Sequence, residues 1–187
     1  MSIINFLEKN IKNADVVVIS DYAKGVITQD FSKKIIQLAK QNNKPVIVDP
    51  KPKHRDFYKD VSLITPNNAE ASEMSGIEDG SDDSVIETGN KLLKDMSADI
   101  LLTRGEKGMS LFEKDGSITH IPAKAKEVYS LIGAGDTVVA VAALAIASGA
   151  ELKDAALLAN IAAGIKVGKM GTASVSIEEL KAGIESL

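Results

Sequence analysis

The sequence has no cysteine and no tryptophan among its 187 residues, and only 4% of its residues are aromatic. The lack of cysteine excludes disulfides, thiol nucleophiles and thiolate metal sites. The two histidines, His54 and His120, lie far apart in the sequence, so a histidine-rich metal site is not expected. We expect both histidines to be surface residues without a chemical role.

The sequence also lacks an excess of basic residues, since its net charge is −4. Nucleic-acid-binding proteins usually carry the opposite sign. The longest apolar run, from Val138 to Ala147, is too short to span a bilayer, and the first residues do not have the layout of a signal peptide. We therefore predict a cytoplasmic protein that binds neither nucleic acid nor membranes.

The composition that is present is typical of a globular domain, with 44% hydrophobic and 26% charged residues. Apolar β-branched runs alternate with segments of helical periodicity, which predicts an α/β fold with a mostly parallel sheet. The predicted strands are residues 15–20, 44–50, 61–67 and 98–105, followed by a hairpin over 108–123 that turns at Asp115 and Gly116. The predicted helices include 29–43, 67–75, 84–96, 134–148, 151–168 and 176–186.

Polar residues follow each predicted strand directly. In open α/β sheets, ligands bind at the carboxyl ends of the strands, so these residues should converge on one crevice. They are Asp21, Tyr22, Lys24 and Gly25; Asp49 and Lys51; Asn67 and Glu70; and Thr103, Arg104 and Gly105.

The segment from Gly133 to Asp136, with the sequence GAGD, precedes a long apolar helix. Glycines at the start of a helix leave N–H groups free for an anion, and the helix dipole adds to this attraction. An aspartate there can accept a proton from a substrate hydroxyl during phosphoryl transfer. The alternative is that Asp136 only stabilises the helix end, and so short a glycine motif does not by itself separate the two.

The segment TPNNAE places Asn67 and Glu70 three residues apart at a helix start. These two side chains are able to contact a phosphate or orient water on Mg²⁺. Alternatively, they form a capping box, with Asn67 as the cap and Glu70 reaching back. Lys24 and Lys51, each close to an aspartate, are either solvated loop charges or contacts to sugar hydroxyls and phosphate.

Together, TPNNAE, LLTRGEKGMSLF and GAGDTVVAVAALAIASG resemble the ribokinase-like (PfkB) sugar kinases in order and spacing. The further segments DYAKG, VDPKP, KEVY and NIAAGIKVGKMGT are similar to the heptose 7-phosphate kinases of that family. The resemblance implies a ribokinase-like three-layer sandwich. It also implies ATP-dependent phosphorylation of D-glycero-β-D-manno-heptose 7-phosphate at O1, with Mg²⁺, in lipopolysaccharide heptose synthesis.

The resemblance assigns roles to particular residues. Asp136 would be the general base, and Gly133, Ala134 and Gly135 would form the anion hole. Asn67, Asn68, Ala69 and Glu70 would lie at the ATP phosphates, with Glu70 holding the metal through water. Thr103 and Gly105 would border the nucleotide, and Asn160 and Ala163 the adenine. Asp21 and Lys51 would lie at the sugar-phosphate end.

The sequence departs from the family in two ways. Family members usually carry Asp-x-Thr before GAGD, where the side chains help to bind a monovalent cation, and here those positions are Ser130, Leu131 and Ile132. Residues 1–187 also match only the C-terminal, catalytic portion of such a kinase domain, so we expect the N-terminal strands and the lid, through which the full-length protein would form a homodimer, to be absent. The alternatives are a kinase for another sugar or a nucleoside, and a nucleotide-binding fragment without full activity.

Overall fold

The computed structural model describes residues 3–124 and 128–186, so Lys126 and Glu127 of the KEVY motif and the ends of the predicted domain lie outside the described residues. The α-helices are α1 (Ile3–Asn10), α2 (Gln29–Gln41), α3 (Asn68–Ser75), α4 (Asp82–Met96), α5 (Ala134–Ala147), α6 (Leu152–Val167) and α7 (Ile177–Glu185). The strands are β1 (Val17–Ser20), β2 (Val46–Asp49), β3 (Leu63–Ile64), β4 (Asp99–Thr103), β5 (Met109–Phe112) and β6 (Ile118–Ile121).

The six strands form one sheet in the order β1-β2-β3-β4-β5-β6. The first four strands are parallel, while β5 is antiparallel to both β4 and β6. The mostly parallel sheet and the terminal hairpin predicted from the sequence are thus confirmed. The hairpin turns where it was expected, because Gly116 adopts a φ of 92° and its N–H donates to the Glu113 carbonyl.

Two hydrophobic cores lie on opposite faces of the sheet, which gives three layers. One core joins the strands to α1–α4 and includes Ile35, Met74 and Leu92. The other joins the strands to α5 and α6 and includes Val138 and Ala159. The helix α5 is apolar on most sides because it is covered by the sheet and by α6.

Strand β1 differs from its expected burial. A continuous β-branched run such as residues 15–20 is typical of a buried parallel strand, but β1 lies at the edge of the sheet and Val18 is 44% exposed. The run of apolar residues correctly predicts a strand. The position of that strand in the sheet depends on which other segments pair with it.

Side-chain caps fix the starts of several helices. Thr28 accepts a hydrogen bond from the Phe31 N–H at the start of α2, and capping boxes begin α3, α4 and α7. Among the described residues, no helix is both long and apolar enough to cross a membrane.

Candidate active site

Polar side chains from three separate strand ends meet at the start of α5. The Tyr22 hydroxyl, which follows β1, donates to Asp136 Oδ1 at 3.1 Å. Lys51 Nζ, which follows β2, lies 2.5 Å from Glu70 Oε1, which follows β3. The convergence expected at the carboxyl edge of the sheet is therefore observed for these strands.

The turn that starts α5 is open to an anion. Gly133 is the residue before the first helical position and adopts a φ of 78°, which favours glycine. Ala134 N–H donates to Leu131 and Thr137 N–H to Gly133, whereas the N–H groups of Gly135 and Asp136 have no recorded acceptor within the described residues. Both of these residues are exposed. The turn thus combines free donors with the positive end of a helix.

Asp136 does not cap its own helix. The residue at the cap position, Gly133, makes no side-chain capping bond, and the bond recorded for the Asp136 carboxylate is the one from Tyr22. The carboxylate is therefore available at the surface beside the free N–H groups. This geometry suits a proton acceptor better than it suits a helix cap.

A cleft of about 520 Å³ opens beside this turn, between the end of β4 and α6. Its volume lies in the range of small-molecule sites. Six residues that the sequence assigned to the nucleotide or the anion hole line it: Thr103, Gly105, Ala134, Gly135, Asn160 and Ala163. Met109, Val128, Leu131, Val138 and Val167 add apolar surface that suits a flat ring.

Asn160 is held firmly in the cleft wall. It is buried, and its Nδ2 donates to the Pro122 carbonyl at 2.8 Å. Because the amide nitrogen is engaged, the side chain has a fixed orientation.

Asn67 and Glu70 form the capping box that the sequence left as one of two alternatives. Asn67 Oδ1 accepts from the Glu70 N–H at 2.9 Å, and Glu70 Oε2 accepts from the Asn67 N–H at 3.1 Å. The other oxygen of Glu70 pairs with Lys51, and this hydrogen bond raises the pKa of the lysine against the opposing effect of burial. The capping-box alternative is therefore confirmed, and the Glu70 side chain also pairs with Lys51.

Asn68 and Ala69 point away from this cluster to different surroundings. Asn68 Oδ1 is buried without a recorded partner in the described part of the chain, and the residue lines a separate small cavity with Ser84 and Thr88. Ala69 is exposed. Neither residue lines the large cleft, so any contact with a nucleotide would be through the first turn of α3.

Asp21 is buried rather than presented to a ligand, with 1% of its surface exposed. Its carboxylate lies 2.6 Å from His54 Nδ1, accepts from the Ala23 N–H and is bonded by the Tyr58 hydroxyl. Burial acts to raise the pKa of Asp21, but these hydrogen bonds outweigh it and hold the pKa below its ordinary value. This placement disfavours direct contact of Asp21 with a sugar. Its hydrogen bonds link the end of β1 to the segment after β2.

That segment, the 3-10 helix Pro52–Phe57, was missed by sequence reasoning. The expectation that His54 is a surface residue is wrong, because its side chain is only 15% exposed and packs on Phe57 as well as Asp21. His120, by contrast, is exposed as expected. The available signal was Pro52, three residues after the end of β2, since proline favours the first position of a helix.

Asp49 is a functional candidate that the sequence placed in the crevice without assigning it a role. Burial, and the nearby carboxylates of Glu70 and Asp136, raise its pKa to about 6, while Lys51 opposes the shift. Ser20 donates to Asp49 Oδ2 at 3.4 Å. The Asp49 carboxylate thus interacts with two further carboxylates and with one lysine.

The raised pKa predicts how Asp49 affects stability. Because the folded state holds this proton more tightly than the unfolded state, the contribution is fully present below pH 3.8 and is lost as the pH rises through about 6. Asp49→Asn should therefore become more stable relative to wild type by about 1 kcal/mol between pH 4.5 and 7.5, after allowance for screening. Urea unfolding at both pH values measures this. A stability difference for Asp49→Asn that does not change with pH would contradict the assignment.

The turn before Gly133 brings no side-chain carboxylate. Ser130 Oγ accepts from the Ile132 N–H at 3.3 Å, and Ile132 is exposed. Among the described residues, no group of three or more histidine or acidic side chains is arranged to hold a metal ion. The Glu70 carboxylate offers oxygens of the kind that hold Mg²⁺ through its bound waters.

The sequence matches the pfkB family of carbohydrate kinases over residues 3–180. It is 45% identical over 180 residues to the bifunctional protein HldE of Geobacter metallireducens, covering 95% of this chain and 36% of the relative. The HldE protein of Proteus mirabilis is 41% identical over 179 residues, covering 95% of this chain and 37% of the relative. The chain thus spans just over a third of the length of these relatives.

Solved structures show the same fold. Ribokinase from Arabidopsis thaliana, complexed with ribose and ATP, superimposes with a TM-score of 0.80 at 22% identity, covering 99% of this chain and 59% of that chain. Phosphofructokinase-2 from Escherichia coli, in complex with potassium, gives a TM-score of 0.83 at 18% identity, covering 98% and 61%. The ribokinase-like three-layer fold expected from the motifs is confirmed.

Proposed function

Because this chain belongs to the pfkB family of carbohydrate kinases, we propose that it forms the nucleotide-binding and catalytic part of an ATP-dependent sugar kinase. The observation that carries this proposal is the position of Asp136. Its carboxylate lies at the surface beside the free N–H groups of the α5 turn, and that turn borders the 520 Å³ cleft.

In the proposed reaction, Asp136 accepts the proton of a sugar hydroxyl as the hydroxyl oxygen attacks the terminal phosphorus of ATP. The bond from that phosphorus to the bridging oxygen breaks, and ADP leaves with the electron pair. The N–H groups of Gly135 and Asp136 are placed to stabilise charge on the transferred group. The Tyr22 hydroxyl fixes the orientation of Asp136 through its bond to Oδ1.

The cleft takes the nucleotide in this proposal. Thr103 and Gly105 border one wall, and Asn160 and Ala163 border the other. Mg²⁺, when bound, would neutralise phosphate charge, and Glu70 is the residue placed to hold one of its waters. Lys51 keeps Glu70 in position and does not line the cleft, and in this proposal it contacts the sugar phosphate.

The proposed acceptor is D-glycero-β-D-manno-heptose 7-phosphate, phosphorylated at O1 to the 1,7-bisphosphate for lipopolysaccharide synthesis. Support comes from the motifs shared with heptose 7-phosphate kinases and from the 40–45% identity to proteins named HldE. A location in the cytoplasm and homodimerisation of the full-length protein remain predictions. Comparison of this heptose phosphate with other sugars and with nucleosides as acceptors tests the assignment.

A nucleotide-binding chain without transfer activity is the second candidate. One observation favours it: Asp136 is exposed, so the described residues do not cover the base from water. Phosphoryl transfer to a sugar needs such cover, because water otherwise competes as the acceptor.

Calorimetry tests the proposal directly. ATP is titrated into the chain with and without Mg²⁺, and heptose 7-phosphate is then added to the same cell. We expect ATP binding that depends on Mg²⁺ and strengthens with the sugar. Binding of ATP without any response to the sugar would support the second candidate. No binding of ATP would contradict both.

A further inference from the structure

Lys166, on the last turn of α6, is a buried lysine that the proposed chemistry does not use. Only 2% of its surface is exposed, and it is among the largest fully buried side chains. Its Nζ donates to the Gly171 carbonyl at 2.8 Å. Within residues 3–124 and 128–186, no carboxylate lies within ion-pair distance of this ammonium group.

The Lys166 side chain runs against the anion-binding turn. Its Cε lies 3.5 Å from the position that a Cβ on Gly133 would occupy, and Asp136 Oδ2 lies 4.0 Å from the same position. The next residue, Val167, accepts hydrogen bonds at its carbonyl from the N–H groups of Tyr129 and Ser130, at 2.7 and 3.1 Å. The end of α6 therefore supports the turn and the segment that leads into it.

Burying an ammonium group with one carbonyl partner is costly. An uncompensated internal charge is destabilising, and an apolar side chain of similar length would fill the same space without that cost. A lysine at this position therefore points to a use for the charge. The Lys166 side chain lies against the α5 turn, where an anion would benefit from a positive charge.

We propose that Lys166 is a positioning residue whose internal positive charge supports phosphate binding at the Gly133–Asp136 turn. It acts in two ways, by holding the Gly171 loop against the turn and by adding a fixed charge beneath the free N–H groups. The inference rests on the proposed function, because it assigns the anion at this turn to the phosphates of a nucleotide. Lys166 itself does not touch the reacting atoms.

The role of the charge is tested by calorimetry on the full chain. The buffer contains Mg²⁺, and tetramethylammonium is the only added monovalent cation. The ligands are ATP, inorganic tripolyphosphate and adenosine. Lys166→Met should weaken ATP and tripolyphosphate binding roughly tenfold and leave adenosine binding unchanged, because only the charge near the phosphates is removed. Lys166→Arg, which keeps the charge, should retain most of the phosphate affinity.

The matched control is Lys169→Met. Lys169 lies in the loop after α6, and its ammonium group bonds Ser174 and Glu179 rather than Gly171, so this variant should bind all three ligands as wild type does. Two results would show that the shape of the side chain matters rather than its charge, and would overturn the inference. One is an equal loss of adenosine affinity and ATP affinity in Lys166→Met, and the other is an equal loss of ATP affinity in the Arg and Met variants. An unchanged ATP affinity in Lys166→Met would overturn the inference alone. Wild-type protein that binds no ATP would contradict the proposed function and this inference together.

Discussion

Replacement of Asp136 by Asn should reduce phosphoryl transfer to the sugar by at least about a hundredfold while ATP binding stays largely unchanged. Asparagine keeps the shape of the side chain and can still accept the bond from Tyr22 through its amide oxygen, but it cannot take a proton. A positioned general base contributes roughly 10²–10⁴ in rate, which sets the expected loss. Formation of ADP that depends on the sugar acceptor, together with ATP titration, measures both quantities.

The chain offers a closely matched control in Asp154→Asn. Asp154 is exposed and occupies the third position of α6, as Asp136 does in α5. Both substitutions remove a negative charge from a helix start and should cost a similar 0.3–1 kcal/mol or so in stability. Only Asp136→Asn should lose transfer. Full turnover in Asp136→Asn would show that this carboxylate is not the base.

Replacement of Gly108 by Ala should destabilise the protein by about 3 kcal/mol or more. Gly108 adopts φ 84° and ψ −126°, a conformation that essentially only glycine reaches. A Cβ there would lie 2.0 Å from the Ile121 carbonyl oxygen and 2.6 Å from the Ala123 nitrogen. These are backbone atoms at the end of β6, so relief of the clash requires the sheet edge to move.

Thermal unfolding measures this effect, and the Tm should fall by roughly 10 °C. Gly108 also lines the cleft, so ATP binding should weaken in the same variant. Gly116→Ala is the control, because Gly116 has a similar φ of 92° but no atom within 4 Å of the Cβ position. It should lose only about 1 kcal/mol from backbone strain. An equal loss of stability in the two variants would mean that the clash with the end of β6 does not cause the destabilisation of Gly108→Ala.

The order and type of the helices and strands were predictable from the sequence because they depend on local patterns. The β-branched run of β2, the cap at Thr28 and the turn at Gly116 each act within a few residues. The alternation of these elements also predicts that strand ends share one edge, which is why Lys51 and Glu70 were expected together. Asp136 was expected in the same site from the resemblance to the sugar kinases. The fold and the neighbourhood of the site thus follow from short-range physics.

The partners within the site depended on the tertiary structure. Tyr22 and Asp136 are 114 residues apart, and no local pattern pairs them. Other features of the site also result from which side chains surround a group in space. They are the raised pKa of Asp49, the burial of Asp21 with His54 and Tyr58, and the placement of Lys166 against Gly133. Burial and electrostatic environment are properties of packing between distant segments, so the sequence identified the chemical groups and the folded chain determined which of them are exposed, paired or charged.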